Sequence, residues 1–219
     1  MRPSNIKKAE LIARLKKQFN VNEPIFTEEI LAAWSDYSRP RIFQLLKTMV
    51  ADGSISKYAT GVYYFSRPTF LGTQSVLSAV EVAEKRYLQA NGQVFGYYSG
   101  LTLLNMVGLT NQVPNTREIV TTKETTNVRN VYIGGRRFLV RRAKTEVNGE
   151  NAPELQLLEI FNIIDRFTDR PLERYQVDNI LALAGGRKIN KRIALECSKY
   201  FPKRALQNFR NSEVGYVIA

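Results

Sequence analysis

Phe26-Thr27-Glu28-Glu29-Ile30-Leu31, then Ser38-Arg39-Pro40-Arg41-Ile42-Phe43-Gln44-Leu45-Leu46-Lys47-Thr48-Met49-Val50, decide how this chain folds at its start. Thr27 stands where a side-chain oxygen can cap free amides. Phe26 and Leu31 occupy the two positions of a hydrophobic staple, and two glutamates fall in the first turn. After Trp34 the run Ser35-Asp36-Tyr37 breaks the pattern, and Ser38 opens a second helix. In it Ile42, Leu45, Leu46, Met49 and Val50 recur at helical spacing, which predicts one buried stripe. Asp52-Gly53 stops that helix. Ile55-Ser56-Lys57-Tyr58 and Val62-Tyr63-Tyr64-Phe65 then flank the turn Ala59-Thr60-Gly61, a hairpin signal. Helix, turn, helix and two-stranded wing is the order of a winged helix-turn-helix.

The opposite face of the second helix carries the chemistry. Ser38, Arg39, Arg41, Gln44, Lys47 and Thr48 are residue types that bond phosphates and base edges, and Lys57, Tyr58 and Thr60 in the wing extend the set. Arg41 and Gln44 lie one turn apart and are long enough for base edges, whereas Lys47 suits the backbone. An upstream helix from about Asn5 to Phe19, apolar at Leu11, Ile12, Leu15 and Phe19, completes a three-helix core. Its Lys7, Arg14, Lys16 and Lys17 read as a solvated face.

The totals bound the function classes. The 219 residues suffice for one large or two modest domains, and 44% apolar residues allow a real core. No apolar run nears the roughly 18 to 20 residues that cross a bilayer, so no membrane partner is expected. The first residues are charged and polar, unlike a secretory leader, and the one cysteine, Cys197, suits a reducing compartment; a cytoplasmic protein is expected. There is no histidine. That removes the usual general base and the commonest metal ligand, so neither an enzyme, a metal site nor a cofactor is expected. Walker-type phosphate loops are absent. A formal charge of +12 points instead to a polyanionic partner.

That charge is spread along the chain. Residues 1–66 hold ten Lys or Arg against six acids, and residues 67–219 hold twenty-two against fourteen. Two clusters in the second part form a second candidate nucleic-acid patch: Arg136, Arg137, Arg141, Arg142 and Lys144, then Arg187, Lys188, Lys191 and Arg192. Strand alternation lets only about half of the first cluster share a face, either Arg137 with Arg141 or Arg136 with Arg142.

Arg67-Pro68 to Gly72 reads as a domain exit, dividing the chain into residues 1–70 and 71–219. Beyond it we expect a helix at about Gln74–Leu88, a turn at Asn91-Gly92, and Gly96 to Gly100 leading into a helix ended by Gly108. Strands follow at Arg117–Thr122, Val128–Ile133 and Arg136–Arg142, the last two joined at Gly134-Gly135. A capping box at Asn151 to Glu154 opens a long apolar helix, helices near Glu173–Leu183 and Lys188–Tyr200 follow, and Phe201-Pro202 sets off a last segment rich in Lys203, Arg204 and Arg210. The class is α+β: a winged helix-turn-helix followed by helices around a small sheet.

Several of these runs together resemble a known family. They are Gly61-Val62-Tyr63-Tyr64, Ser99-Gly100-Leu101-Thr102, Gly108-Leu109-Thr110-Asn111-Gln112-Val113-Pro114 with Glu118-Ile119-Val120-Thr121, Gly134 to Phe138, and Asn151 to Leu158. The chain is similar to the AbiEi-type antitoxins of abortive-infection toxin-antitoxin systems, most clearly over residues 5–170. The resemblance implies a transcriptional autorepressor that binds inverted repeats of double-stranded operator DNA. It also implies neutralisation of a nucleotidyltransferase-like toxin, type IV fashion, without a stable complex. Other readings stay open: an orphan regulator, an RNA- or protein-binding adaptor, or a metal-dependent nuclease. For the last, Glu118 with Lys123 and the acids Asp165, Asp169 and Glu173 are the available candidates.

Overall fold

A computed structural model describes residues 3–168 and 170–218. Asp169 and the Lys7 side chain lie outside the described residues. The protein is mixed α+β with small sheets. It divides into two compact units, Met1–Val82 and Ala83–Ala219.

In the first unit the order is α1 (Pro3–Gln18), β1 (Ile25–Phe26), α2 (Thr27–Ala33), α3 (Arg39–Ala51), β2 (Ser56–Ala59) and β3 (Val62–Tyr64). The three strands form an antiparallel sheet in the order β1-β3-β2. Leu11 and Leu15 of α1, Ile30 of α2 and Trp34 at its end, and Ile42, Leu46 and Met49 of α3 are buried together with Ile25 and Phe65. The helical stripes seen in the sequence therefore meet in one core. Burial of these side chains, each worth about 1.5–3 kcal/mol, holds three short helices that could not stand alone.

The start of α2 departs from the expectation. Thr27 is already helical, and its amide donates to Gly61 O at 3.0 Å. Phe26 occupies the cap position, and the Glu29 carboxylate accepts its amide at 2.7 Å. A glutamate one turn in replaces the threonine hydroxyl, because β1 runs straight into the helix. Gly61, at φ +75°, makes the tight β2–β3 turn, and a bulge shifts the register between Lys57 and Ala59.

The loop from Ser66 to Ser78 belongs to the first unit. Ser75 Oγ accepts the Arg67 amide and donates to Asn22 Oδ1, Ser75 O accepts the Tyr64 hydroxyl, and Pro68 bridges Gln74. These bonds hold Gln74 to Leu77 out of a helix. The expected helix begins at α4 (Ala79–Tyr87), where Ser78 and Glu81 bond each other's amides as a capping box.

Within the second unit Asn91-Gly92 turns the small hairpin of β4 (Gln89–Ala90) and β5 (Gln93–Val94). Gly96 to Ser99, which leads into the expected helix, is itself strand β6, and α5 (Gly100–Met106) follows directly. With β7 (Arg117–Thr121), β8 (Val128–Ile133) and β9 (Arg136–Arg142) it forms a sheet ordered β6-β7-β9-β8. The Gly134-Gly135 turn pairs β8 with β9, leaving β9 to lie parallel to β7. Gly96 admits no side chain, since a Cβ there would collide with the Tyr87 and Val120 carbonyls.

α6 (Ala152–Ile163) packs on this sheet through Leu155 and Leu158 against Tyr97, Val120 and Val147. Its other side meets α5, α7 (Arg174–Ala182), α8 (Lys191–Ser198) and α9 (Lys203–Arg210) around Leu157, Ile160 and Phe161, with α10 (Glu213–Ile218) adding Val214. The expected capping box at Asn151 is not formed. Asn148 Oδ1 accepts the Glu150 and Asn151 amides, while Glu154 is fully buried. Glu154 accepts both arms of Arg187, at 2.7 and 2.6 Å, and the Asn190 amide at 2.8 Å.

Candidate nucleic-acid interface

The candidate surface is built on α3. Ile42, Leu45, Leu46 and Met49 turn inward, so Arg39, Arg41, Gln44, Lys47 and Thr48 are exposed on the remaining face. Arg41 Nη1 donates to Gln44 Oε1 at 2.9 Å, which draws the two side chains together one turn apart. Thr48 Oγ1 donates back to Gln44 O at 3.1 Å. Ser38, exposed at the cap position, makes no side-chain cap bond. Helix-start amides lack intrahelical partners, and since Pro40 has no N–H, Arg39 and Arg41 carry those of this first turn.

Electrostatics favour an anion on this face. Two acids bracket α3, and each is bound by a cation of α1. Asp36 accepts Arg14 Nη1 at 3.1 Å, and Asp52 pairs with Lys8. Lys8 and then Ser54 hold the Asp52 carboxyl below its ordinary range. Arg39, Arg41 and Lys47 make no ion pair among the described residues. Lys8 and Arg14, the latter expected on a merely solvated face, thus silence the acids next to α3; Lys16 lies instead over the Phe65 ring. Lys57 and Thr60 are exposed at the β2–β3 hairpin, and Tyr58 is half-buried.

In the second unit the basic clusters divide. Arg136 and Arg137 are exposed beside the Gly134-Gly135 turn, where Arg137 Nε donates to Thr116 Oγ1 at 2.7 Å. Arg142 and Lys144 are also exposed. Arg141 is turned toward α6: Nη2 donates to Ser99 Oγ at 2.8 Å and lies 3.7 and 3.9 Å from the Glu118 and Glu159 carboxylates. Arg187 is tied to Glu154, while Lys188, Lys191 and Arg192 remain exposed. Arg192 Nε lies 3.8 Å from Glu196 within α8.

The polar group around Arg141 escaped the sequence reading. Its signal was present, since Glu159 interrupts the apolar run from Leu157 to Phe161. In the Gly100–Pro114 stretch, Leu103, Leu104, Val107 and Leu109 are core, and Asn111, Gln112 and Val113 are exposed. No three or more His, Cys, Asp or Glu side chains converge on a metal-sized site among the described residues. Among them, too, no helix is long and apolar enough to cross a membrane. No known family model matches the sequence, and no characterised protein matches it.

Proposed function

We propose that the chain is a sequence-specific DNA-binding transcriptional regulator whose first unit is a winged helix-turn-helix. In this reading α3 enters the major groove, Arg41 and Gln44 meet base edges, and Lys47 meets the backbone. Ser38 and Arg39 hold a phosphate at the helix start, and Lys57, Tyr58 and Thr60 brace the wing. The observation that carries it is the outer face of α3, where three cations have no acid partner while both bracketing acids are bound to α1. The order of helices and strands and the β1-β3-β2 sheet support the same module.

The family resemblance extends the proposal: an autorepressor, cytoplasmic and without enzymatic activity, that serves as antitoxin of a type IV abortive-infection system. The second unit then opposes a nucleotidyltransferase-like toxin. Fluorescence anisotropy tests the first step, with duplex DNA from upstream of the gene, random duplex and structured RNA. The upstream duplex is expected to bind about a thousandfold more tightly than random duplex. Arg41→Ala with Gln44→Ala should abolish that preference. Equal affinity for all three polymers, or unchanged binding by both variants, would overturn it. Co-expression with the neighbouring gene tests the antitoxin step, rescue of growth being expected.

A further inference from the structure

A cavity of about 370 Å³ opens in the second unit, between the Tyr97 face of the sheet, the end of β9 and the loop at Phe201. That volume is at the lower end of small-ligand pockets, about 300–1,000 Å³. It suits a small molecule and excludes a folded polymer.

Its floor carries polar side chains, and one buried atom among them has no partner. Tyr97, 6% exposed, lines the cavity. Glu159 is 9% exposed; its nearest cation, Arg141 Nη2, stands 3.9 Å away, beyond hydrogen-bond reach. Arg141 Nε is buried without a partner. A buried polar group left unsatisfied costs about 1–3 kcal/mol, and native interiors rarely keep one, so Arg141 Nε marks this cavity. Burial pushes the Glu159 carboxyl above its ordinary range. On the open side Arg142 and Lys144 are exposed, and Glu159 is the sole acid among the described lining residues. Phe201 supplies an aromatic wall.

We propose that this cavity binds a nucleoside monophosphate. The phosphate meets Arg142 and Lys144 at the mouth. The base lies by Phe201 and presents its donor and acceptor edge to Tyr97 and Glu159. The site is independent of the DNA reading, since the residues invoked are all in the second unit.

Isothermal titration of the full chain with AMP, GMP, CMP and UMP tests the proposal. Inorganic phosphate and the four nucleosides serve as probes of the two halves. At least one monophosphate should bind saturably, more tightly than phosphate or its own nucleoside by about tenfold or more. Arg142→Ala with Lys144→Ala, both at exposed positions, should weaken it by at least tenfold, and Tyr97→Phe by several fold. Arg41→Ala should leave it unchanged, which separates this site from DNA contact by the first unit. Absence of saturable binding by all four monophosphates up to about 5 mM would overturn the proposal. So would equal affinity for inorganic phosphate, or undiminished binding by the Arg142/Lys144 variant with its folded thermal transition intact.

Discussion

Replacing Arg187 by alanine strands a buried charge, and the cost follows from the geometry. Glu154 has no exposed surface, and Arg187 gives it two charge-assisted bonds at 2.7 and 2.6 Å. Two further Arg187 bonds, to Glu150 O at 2.6 Å and Lys188 O at 2.9 Å, fix the loop before α8. Breaking a buried ion pair from one side costs about 3–5 kcal/mol, chiefly because the remaining charge stays desolvated. The Arg187 side chain is 35% exposed, so water can partly answer the carboxylate, and about 3 kcal/mol is the expected loss. For a unit of this size each kcal/mol moves the melting point by roughly 3–4 °C, so Tm should fall by about 10 °C. Calorimetry or circular-dichroism melting measures this. The double variant Glu154→Leu with Arg187→Met removes both charges and should recover most of the loss, since apolar substitutes for a buried pair are often neutral. A drop below about 1 kcal/mol for Arg187→Ala, or a double variant as unstable as the sum of the singles, would refute the reasoning.

The remaining predictions are briefer. Because burial raises the Glu159 carboxyl, the folded chain holds a proton that the unfolded chain releases between the ordinary carboxylate range and the raised folded value. This group's contribution is whole below that window and is lost as pH rises through it, so Glu159→Gln should stabilise the chain at pH 7 by more than at pH 4, read by paired denaturant titrations. Gly96→Ala drives a Cβ into the Tyr87 and Val120 carbonyls and should cost about 3 kcal/mol or more in the same assay; a near-neutral result would show that the β6 backbone yields. Lys47→Ala should lower the salt dependence of duplex binding by about 0.9 in log–log slope, with a similar loss on every sequence. Arg41→Ala should cost about 1–3 kcal/mol on the preferred duplex and much less on random DNA, measured by anisotropy.

Local signals carried much of the architecture. The periodic apolar positions of α1 and α3 lie inside, and β8 and β9 have the bounds that the Gly134-Gly135 turn implied. Exposure of Arg41, Gln44, Lys47 and Thr48 was legible for the same reason: at 3.6 residues per turn, naming the buried stripe names its opposite. Terminal details were less legible. Which residue caps α2 depended on a strand entering it, and the start of α4 depended on a loop whose bonds reach back to Asn22.

Sequence alone determined the residues that have helical or strand rhythm, the turns that glycine makes, and the net charge available to meet a polyanion. These are properties of neighbours along the chain, governed by steric and hydrophobic periodicity over a few residues. Tertiary structure decided the parallel seating of β9 on β7, the pairing of Glu154 with Arg187 and the gathering of Ser99, Glu118, Arg141 and Glu159. It also decided which cations stay unpaired on α3, because Asp36 and Asp52 find their partners on another helix. Charges and unpaired edges choose partners across space, and no rule of short-range spacing encodes that choice.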